Sequence, residues 1–183
     1  MIRSYKGDTM KKLLIVVDFQ RDFVDGTLGF LSASALESGI CEKILAYRDA
    51  NQTVVFTLDT HGPDYEKTQE GRNLPVRHCI RGTDGHELYG RVKALADNCL
   101  QFEKGTFGSD SLYTYLQGSD FDSIELVGLV SSICVLTNAV LAKTALPEAE
   151  IIVDASCTDS FDPVLHEKAL DVLAGIQVKV INR

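Results

Sequence analysis

Six short runs in this chain read as strands, Leu13–Asp18, Thr53–Asp59, Cys99–Lys104, Ile124–Val130, Ile151–Ala155 and Ile176–Ile181, and most of them are apolar at consecutive positions rather than at every second one. A strand with one wet face alternates apolar and polar residues, because successive side chains point to opposite faces. Continuous Val- and Ile-rich runs suit strands covered on both faces, the usual condition of a parallel sheet. Cys99–Lys104 is the least apolar of the six.

The segments between them carry a helical period. Leu36, Ile40, Ile44 and Tyr47 recur at steps of four and three, which predicts a helix over 36–49. Leu165, Ala169, Val172 and Leu173 do the same over 163–174, with Pro163 near the start and Gly175 at the end. Ile133, Thr137, Val140, Leu141 and Thr144 mark a third helix, stopped by Pro147. Shorter helices are expected at His86–Ala96 and Ser109–Leu116. Strand and helix in alternation give a three-layer α/β domain, a six-stranded and mostly parallel sheet with helices on both faces. Residues 60–85 have no strong period, and a loop that long in a compact domain usually carries function.

The first ten residues are polar and aperiodic, so an extension over 1–10 and a single domain over 11–183 are expected. No apolar run reaches the length of a membrane span, and Lys11 and Lys12 precede too few apolar residues for a signal peptide. Neither a membrane nor a nucleic acid is expected as partner. The chain has 18 Lys plus Arg against 26 Asp plus Glu, a formal charge of −8, where a phosphate-backbone binder needs a basic surface. The five cysteines, Cys41, Cys79, Cys99, Cys134 and Cys157, are odd in number, widely spaced and without a CxxC. They point to free thiols and a reducing cytoplasm.

In open α/β sheets ligands bind beyond the carboxyl ends of the strands. Those ends present Asp18, then Asp59 followed by His61, then Lys104, then the turn from Gly128 to Cys134. Cys134 opens a helix, whose N-terminal partial charge and N–H groups would favour a thiolate and a tetrahedral oxyanion. Lys104 would add a full positive charge, and Asp18 could take the thiol proton as general base. For any cysteine alone, a buried small hydrophobe is the commoner fate, and Cys41, Cys79, Cys99 and Cys157 keep that reading. Asp59, His61 and His78 flank the irregular segment; one carboxylate and two imidazoles suit a divalent transition metal, though D-x-H also arises by chance. His86 and His166 have no partner at useful spacing and are expected on helix surfaces.

These residues fall into motifs. Asp18-Phe19-Gln20-Arg21-Asp22-Phe23 resembles the D-x-Q-x-D-F opening of the isochorismatase-like cysteine hydrolases, which include the nicotinamidases. Asp59-Thr60-His61 resembles their metal-binding D-x-H, and Leu74 to Thr83 their W-P-x-H-C-V-x-G-T segment. Phe102-Glu103-Lys104-Gly105 is similar to the motif carrying their lysine, and Gly128 to Val135 to their nucleophile turn. The motifs occur in family order. The resemblance implies a catalytic triad of Asp18, Lys104 and Cys134, with a metal bound by Asp59, His61 and His78. That metal would be zinc first, with iron or manganese compatible. It also implies a cis peptide between Leu129 and Val130, an oxyanion hole from the N–H groups of Val130 and Cys134, and Phe23 packed on the substrate ring. It implies hydrolysis of a small primary amide, nicotinamide first, and a homo-oligomer. Carbamoyl amidases and vinyl-ether hydrolases of the same family are the enzymatic alternatives, and a non-catalytic ligand-binding or redox-sensing module is another. The chain departs from the nicotinamidase pattern in having Leu74 where an aromatic residue often covers the ring, and in an Arg77 that could bring positive charge near the pocket.

Overall fold

The computed structural model describes residues 10–183; all of the expected extension except Met10 lies outside the described residues. The strands are β1 (Lys12–Val17), β2 (Thr53–Asp59), β3 (Leu100–Lys104), β4 (Ser123–Leu129), β5 (Glu150–Asp159) and β6 (Lys179–Ile181). They form one six-stranded sheet in the order β3-β2-β1-β4-β5-β6, and all five pairings are parallel. The helices are α1 (Arg21–Val24), α2 (Leu36–Asp49), α3 (Gln69–Asn73), α4 (Gly90–Leu95), α5 (Asp110–Gln117), α6 (Leu136–Ala145) and α7 (Pro163–Gly175).

The continuous apolar runs feed two cores. Along β1, Leu14 and Val16 point to one face and pack with Ile40 and Ile44 of α2 and Val92 of α4. Leu13, Ile15 and Val17 point to the other, with Leu112 and Leu116 of α5, Ala139 and Ala142 of α6, and Leu170 and Leu173 of α7. Two-sided burial, rather than strand propensity alone, explains why alternation is missing from the sequence.

Several boundaries differ from expectation. β5 runs on to Asp159, four residues beyond Ala155, because its register against β4 shifts between Leu126 and Gly128 and lets the polar Ser156–Asp159 tail pair again. β6 begins at Lys179, since Ile176 still caps α7 and Gln177 turns with φ 68°. The helix expected from His86 starts only at Gly90; His86 instead ends a short 3-10 turn, Asp84–His86. The helix expected from Ile133 is preceded by a wide turn over Ser131–Val135, in which the carbonyl of Val130 accepts from both Ile133 N (3.0 Å) and Val135 N (3.2 Å). Residues 60–85 contain a 3-10 turn, Tyr65–Lys67, and the single-turn α3.

The strand order reverses between β1 and β4, which diverge in opposite directions to their next neighbours. That switch point is where an open α/β sheet leaves a crevice at its carboxyl edge. β1, β2, β3 and β4 deliver Asp18, Asp59, Lys104 and the Cys134 turn to this edge.

Candidate active site

Asp18 follows the last residue of β1 with φ 45°, a left-handed conformation that a short polar side chain tolerates better than most. The turn sends its fully buried carboxylate into the crevice. Oδ1 accepts from Thr57 Oγ1 at 2.6 Å. Oδ2 lies 2.7 Å from Nζ of Lys104 but off the line of an aligned hydrogen bond. Lys104, itself buried, also donates to the carbonyl of Thr106 (3.0 Å), to Asp59 Oδ1 (3.4 Å) and to Cys134 Sγ (3.5 Å). The structure therefore brings Asp18, Lys104 and Cys134 together, though they are far apart in sequence.

The charge balance of this trio differs from expectation in one respect. Burial pushes the Cys134 thiol well above its ordinary range, Asp18 adds to that, and Lys104 opposes it only in part. Desolvation outweighs the helix-start field, because Cys134 is not at an exposed helix end but inside the wide turn and only 5% exposed. Burial also raises Asp18 against the pull of Lys104. Burial works against the Lys104 ammonium too, but Asp18, Cys134 and Asp59 overcome it and hold the charge. The resting arrangement is thus a thiol beside a carboxylate of raised basicity, with a fixed ammonium between.

The metal candidates also converge. Asp59, His61 and His78 place one donor atom each within 4.8 Å of one another, and all three are buried. Asp59 Oδ2 lies 3.0 Å from His61 Nε2 and 3.3 Å from His78 Nε2. His78 Nδ1 lies 2.8 Å from the carbonyl of Val76, which can only accept, so that nitrogen carries a proton and Nε2 is the lone-pair nitrogen of the neutral ring. A lone pair facing a carboxylate needs a cation between them. The donor set fits a divalent ion, and without one a proton fills the role: burial works against charge on His78, and Asp59 overrides it and raises the imidazole. Asp59 is drawn below the ordinary carboxylate range by His61, His78 and Lys104, against its burial.

Sequence reasoning missed the residues that hold this cluster. The buried Gln20 side chain clamps Asp59 by its backbone, accepting from Asp59 N (2.8 Å) and donating to Asp59 O (2.9 Å) and His86 O (2.8 Å). Asp22 accepts from Cys79 N at 2.7 Å, fixing the segment after His78. Tyr65, fully buried, packs tilted on His61 and edge-on to His78, with ring centroids 4.7 and 5.0 Å away, and its hydroxyl donates to Leu74 O at 2.9 Å. Glu70 Oε1 lies 3.7 Å from His61 Nε2 and 3.8 Å from His78 Nε2, a second carboxylate beside the donor set. The signal for Gln20 and Asp22 was present in their place within the opening motif, between the apolar Phe19 and Phe23.

A cavity of about 330 Å³ opens between the two clusters, lined by Phe23, Leu74, Phe107, Phe161, His78 and Cys134, with Leu28, Gly29, Asp59, Glu70, Val130 and Ile133 completing it. Phe23 and Leu74 thus both face it, and the Phe23 ring lies 5.6 Å from that of His78. The Leu129–Val130 peptide is cis. Two histidine expectations fail. His86 is buried, with Nε2 2.8 Å from Thr60 Oγ1, because the 3-10 turn before α4 packs against α1, where Gln20 donates to the His86 carbonyl. His166 is on α7 but turned inward, Nδ1 2.9 Å from Ser131 Oγ. Arg77 brings no charge to the cavity; it pairs with Glu66 at 2.9 Å on the surface.

The wider comparisons agree with this geometry. The solved nicotinamidase/pyrazinamidase PncA of Bacillus subtilis superposes with a TM-score of 0.84 at 32% identity, over 93% of this chain and 99% of that one. The nicotinamidase/pyrazinamidase of Mycobacterium tuberculosis is 25% identical over 93% of this chain and 98% of its own length. The zinc complex of Pyrococcus horikoshii pyrazinamidase, at 23% identity, has the same fold with a TM-score of 0.82, over 94% of this chain and 99% of that one. Residues 12–183 match the Isochorismatase domain family model, and the chain belongs to the isochorismatase family.

Proposed function

We propose that the protein is a metal-containing cysteine amidohydrolase that converts a small aromatic primary amide, nicotinamide first, to the carboxylate and ammonia. The observation that carries this reading is the meeting of Asp18 and Lys104 with Cys134, which lines a cavity also lined by Asp59 and His78 of the metal-type donor set. The nicotinamidase relatives support the choice of amide.

Catalysis begins as Asp18 takes the thiol proton and Cys134 Sγ bonds to the amide carbon. A raised carboxyl is the better base for a raised thiol, and Lys104 keeps the net charge of the buried trio small while the proton moves. The N–H groups of Val130 and Cys134 are assigned to the oxyanion. Asp18 then returns its proton to the departing nitrogen, the C–N bond breaks, and a thioester remains. Asp18 next accepts a proton from water as its oxygen attacks the thioester carbon; the S–C bond breaks and Cys134 regains its proton. Asp59, His61 and His78, with Glu70 beside them, would hold a divalent ion, zinc first and iron or manganese compatible, which supplies a Lewis-acid site for a ring nitrogen. Phe23 and Leu74 would cover the ring.

Among the described residues lining the cavity are Asp59 and Glu70 but no Arg or Lys, which disfavours the carboxylated substrates of carbamoyl amidases and isochorismatases. Buried ionic trios are costly to keep, which disfavours a purely structural or sensing module. Residues 11–183 are read as one catalytic domain, supported by the family match over 12–183. The five unbridged cysteines support a cytoplasmic setting. No helix among the described residues is long and apolar enough to cross a membrane. A homo-oligomer remains the family-based expectation.

Ammonia release from a panel of small amides, nicotinamide and pyrazinamide included, tests the reading. Cys134→Ala should lose at least about a thousandfold in kcat with its fold intact. Full activity in that variant overturns the mechanism; activity on another amide with none on nicotinamide rejects only the substrate.

A further inference from the structure

A polar chain outside the reacting groups ties three cavity-lining segments together. Ser32 Oγ donates to Asp159 Oδ2 at 2.5 Å. Asp159 Oδ1 lies 3.8 Å from Nδ1 of His166. That same nitrogen is 2.9 Å from Oγ of the fully buried Ser131. Ser131 follows Val130 and opens the turn that bears Cys134. Asp159 stands opposite Leu129 in the β4–β5 register. His166 therefore bridges the two sides of the Leu129–Val130–Ser131 backbone, while the Ser32 end reaches the loop that brings Leu28 and Gly29 to the cavity.

The arrangement is not a second catalytic triad. A Ser-His-Asp relay uses both ring nitrogens, one for each partner, whereas Ser131 and Asp159 share Nδ1 here. It has the geometry of a bracket. We propose that His166 is a positioning residue for amide hydrolysis, holding Ser131 through Nδ1 and thereby aiming the N–H of Val130 at the developing oxyanion. The proposal rests on the hydrolase reading above. Its physical basis is that pre-aimed donors act chiefly in the transition state, and that small misplacements there reduce turnover without weakening ground-state binding.

The test compares wild type with His166→Leu, His166→Asn, Ser131→Ala and the His166→Leu/Ser131→Ala double variant. Asn can place an amide group near the position of Nδ1; Leu cannot. Four quantities are read: kcat and KM for nicotinamide, thermal stability, and affinity for pyridine-3-carbaldehyde. Cys134 sulfur adds to the aldehyde carbon and the thiol proton passes to the adduct oxygen or to Asp18, so the adduct mimics the tetrahedral intermediate. His166→Leu should lower kcat about 30- to 100-fold with KM within about twofold, and weaken aldehyde binding by a similar factor. Ser131→Ala should match it, the double variant should be no worse than either single one, and His166→Asn should recover most of the loss. If His166→Leu folds poorly, Ser131→Ala and His166→Asn carry the comparison. Wild-type kcat in both His166→Leu and Ser131→Ala overturns the positioning role. So does a loss that follows thermal stability and is not recovered by Asn. Inactivity of the wild type toward every amide is a different result: it rejects the hydrolase reading, and the positioning role falls with it.

Discussion

The ammonium of Lys104 lies 3.4 Å from Oδ1 of Asp59, while the other oxygen of that carboxylate faces His61 and His78. Through its 2.7 Å pair with Asp18, the same ammonium reaches the thiol trio. Asp59 is therefore shared between a metal-type donor set and the nucleophile's electrostatics, and neither cluster is electrically separate from the other.

Asp59→Asn should act on both. Zinc affinity, read by equilibrium dialysis, should fall by more than about 100-fold, as expected for losing a charged donor. The alkylation profile of Cys134 should move to lower pH, since Asp59 helps to hold the thiol up. Unchanged zinc affinity would remove Asp59 from the donor set.

The thiol itself has a signature on the alkaline side. Because burial raises Cys134, its reaction with iodoacetamide in the free protein should keep accelerating above about pH 8.5, the ordinary thiol range, instead of levelling off near neutrality. Burial likewise raises Cys79, and pushes Tyr65 up to about 12. The folded state then holds protons that the unfolded chain releases. The stability from these groups is complete below their unfolded pKa values and lost as pH rises through them. Urea midpoints should fall progressively from about pH 9 upward. A midpoint flat to pH 11 would show these groups to be unshifted.

Gly128 is the residue of β4 paired with Val17, with φ +108°. A Cβ there would come within 2.1 Å of Val17 O and 2.8 Å of Val17 N, both backbone atoms that cannot yield. Gly128→Ala should cost about 2–4 kcal/mol in urea unfolding and depress turnover, because β1 and β4 carry Asp18 and Cys134 past this point. A wild-type urea midpoint would mean that the strands can part here freely.

Away from the cavity, Lys43 of α2 sits 2.6 Å from both Glu125 Oε1 and Asp154 Oδ2, on buried positions of β4 and β5. Lys43→Ala leaves two carboxylates facing each other and should cost about 3 kcal/mol at neutral pH with kcat unchanged. Burial would raise Asp154, but Lys43 and neighbouring donors hold it low, so its contribution is present above the unfolded carboxylate pKa and lost as pH falls. The gap between wild type and variant should narrow below about pH 4. A gap independent of pH would assign the loss to packing alone.

Much of this was legible in the chain because the physics is local. Continuous apolar runs report two-sided burial and gave the interior strands, the more exposed edge strands β3 and β6 leaving a weaker pattern, and the strand-end rule placed Asp18, Asp59, Lys104 and Cys134 on one edge. What escaped reading depends on tertiary contact. β5 overran Ala155 because a register shift, invisible in one strand's sequence, lets Ser156–Asp159 pair again. Gln20 and Asp22 stood in the opening motif without a role, because the backbones of Asp59 and Cys79 that they bond are brought to them only by the fold. The direction of the Cys134 shift was misjudged, since an electrostatic field can be guessed from neighbours whereas depth of burial cannot. His166 looked solvent-facing because nothing in the period of α7 encodes a hydroxyl waiting in another turn.

The cavity wall is assembled from two kinds of chain. Asp18, Asp59 and Lys104 stand at or beside the ends of strands and Cys134 in the turn after β4, whereas Leu28, Gly29, Leu74, Phe107 and Phe161 come from other connections between elements. Strand ends are fixed by the whole sheet; connections tolerate insertion and exchange. Chemistry and choice of ring are thus written on separable pieces of the polypeptide. A library confined to Leu28, Gly29, Leu74, Phe107 and Phe161 could redirect the enzyme to other carboxamides while leaving Asp18, Lys104 and Cys134 untouched.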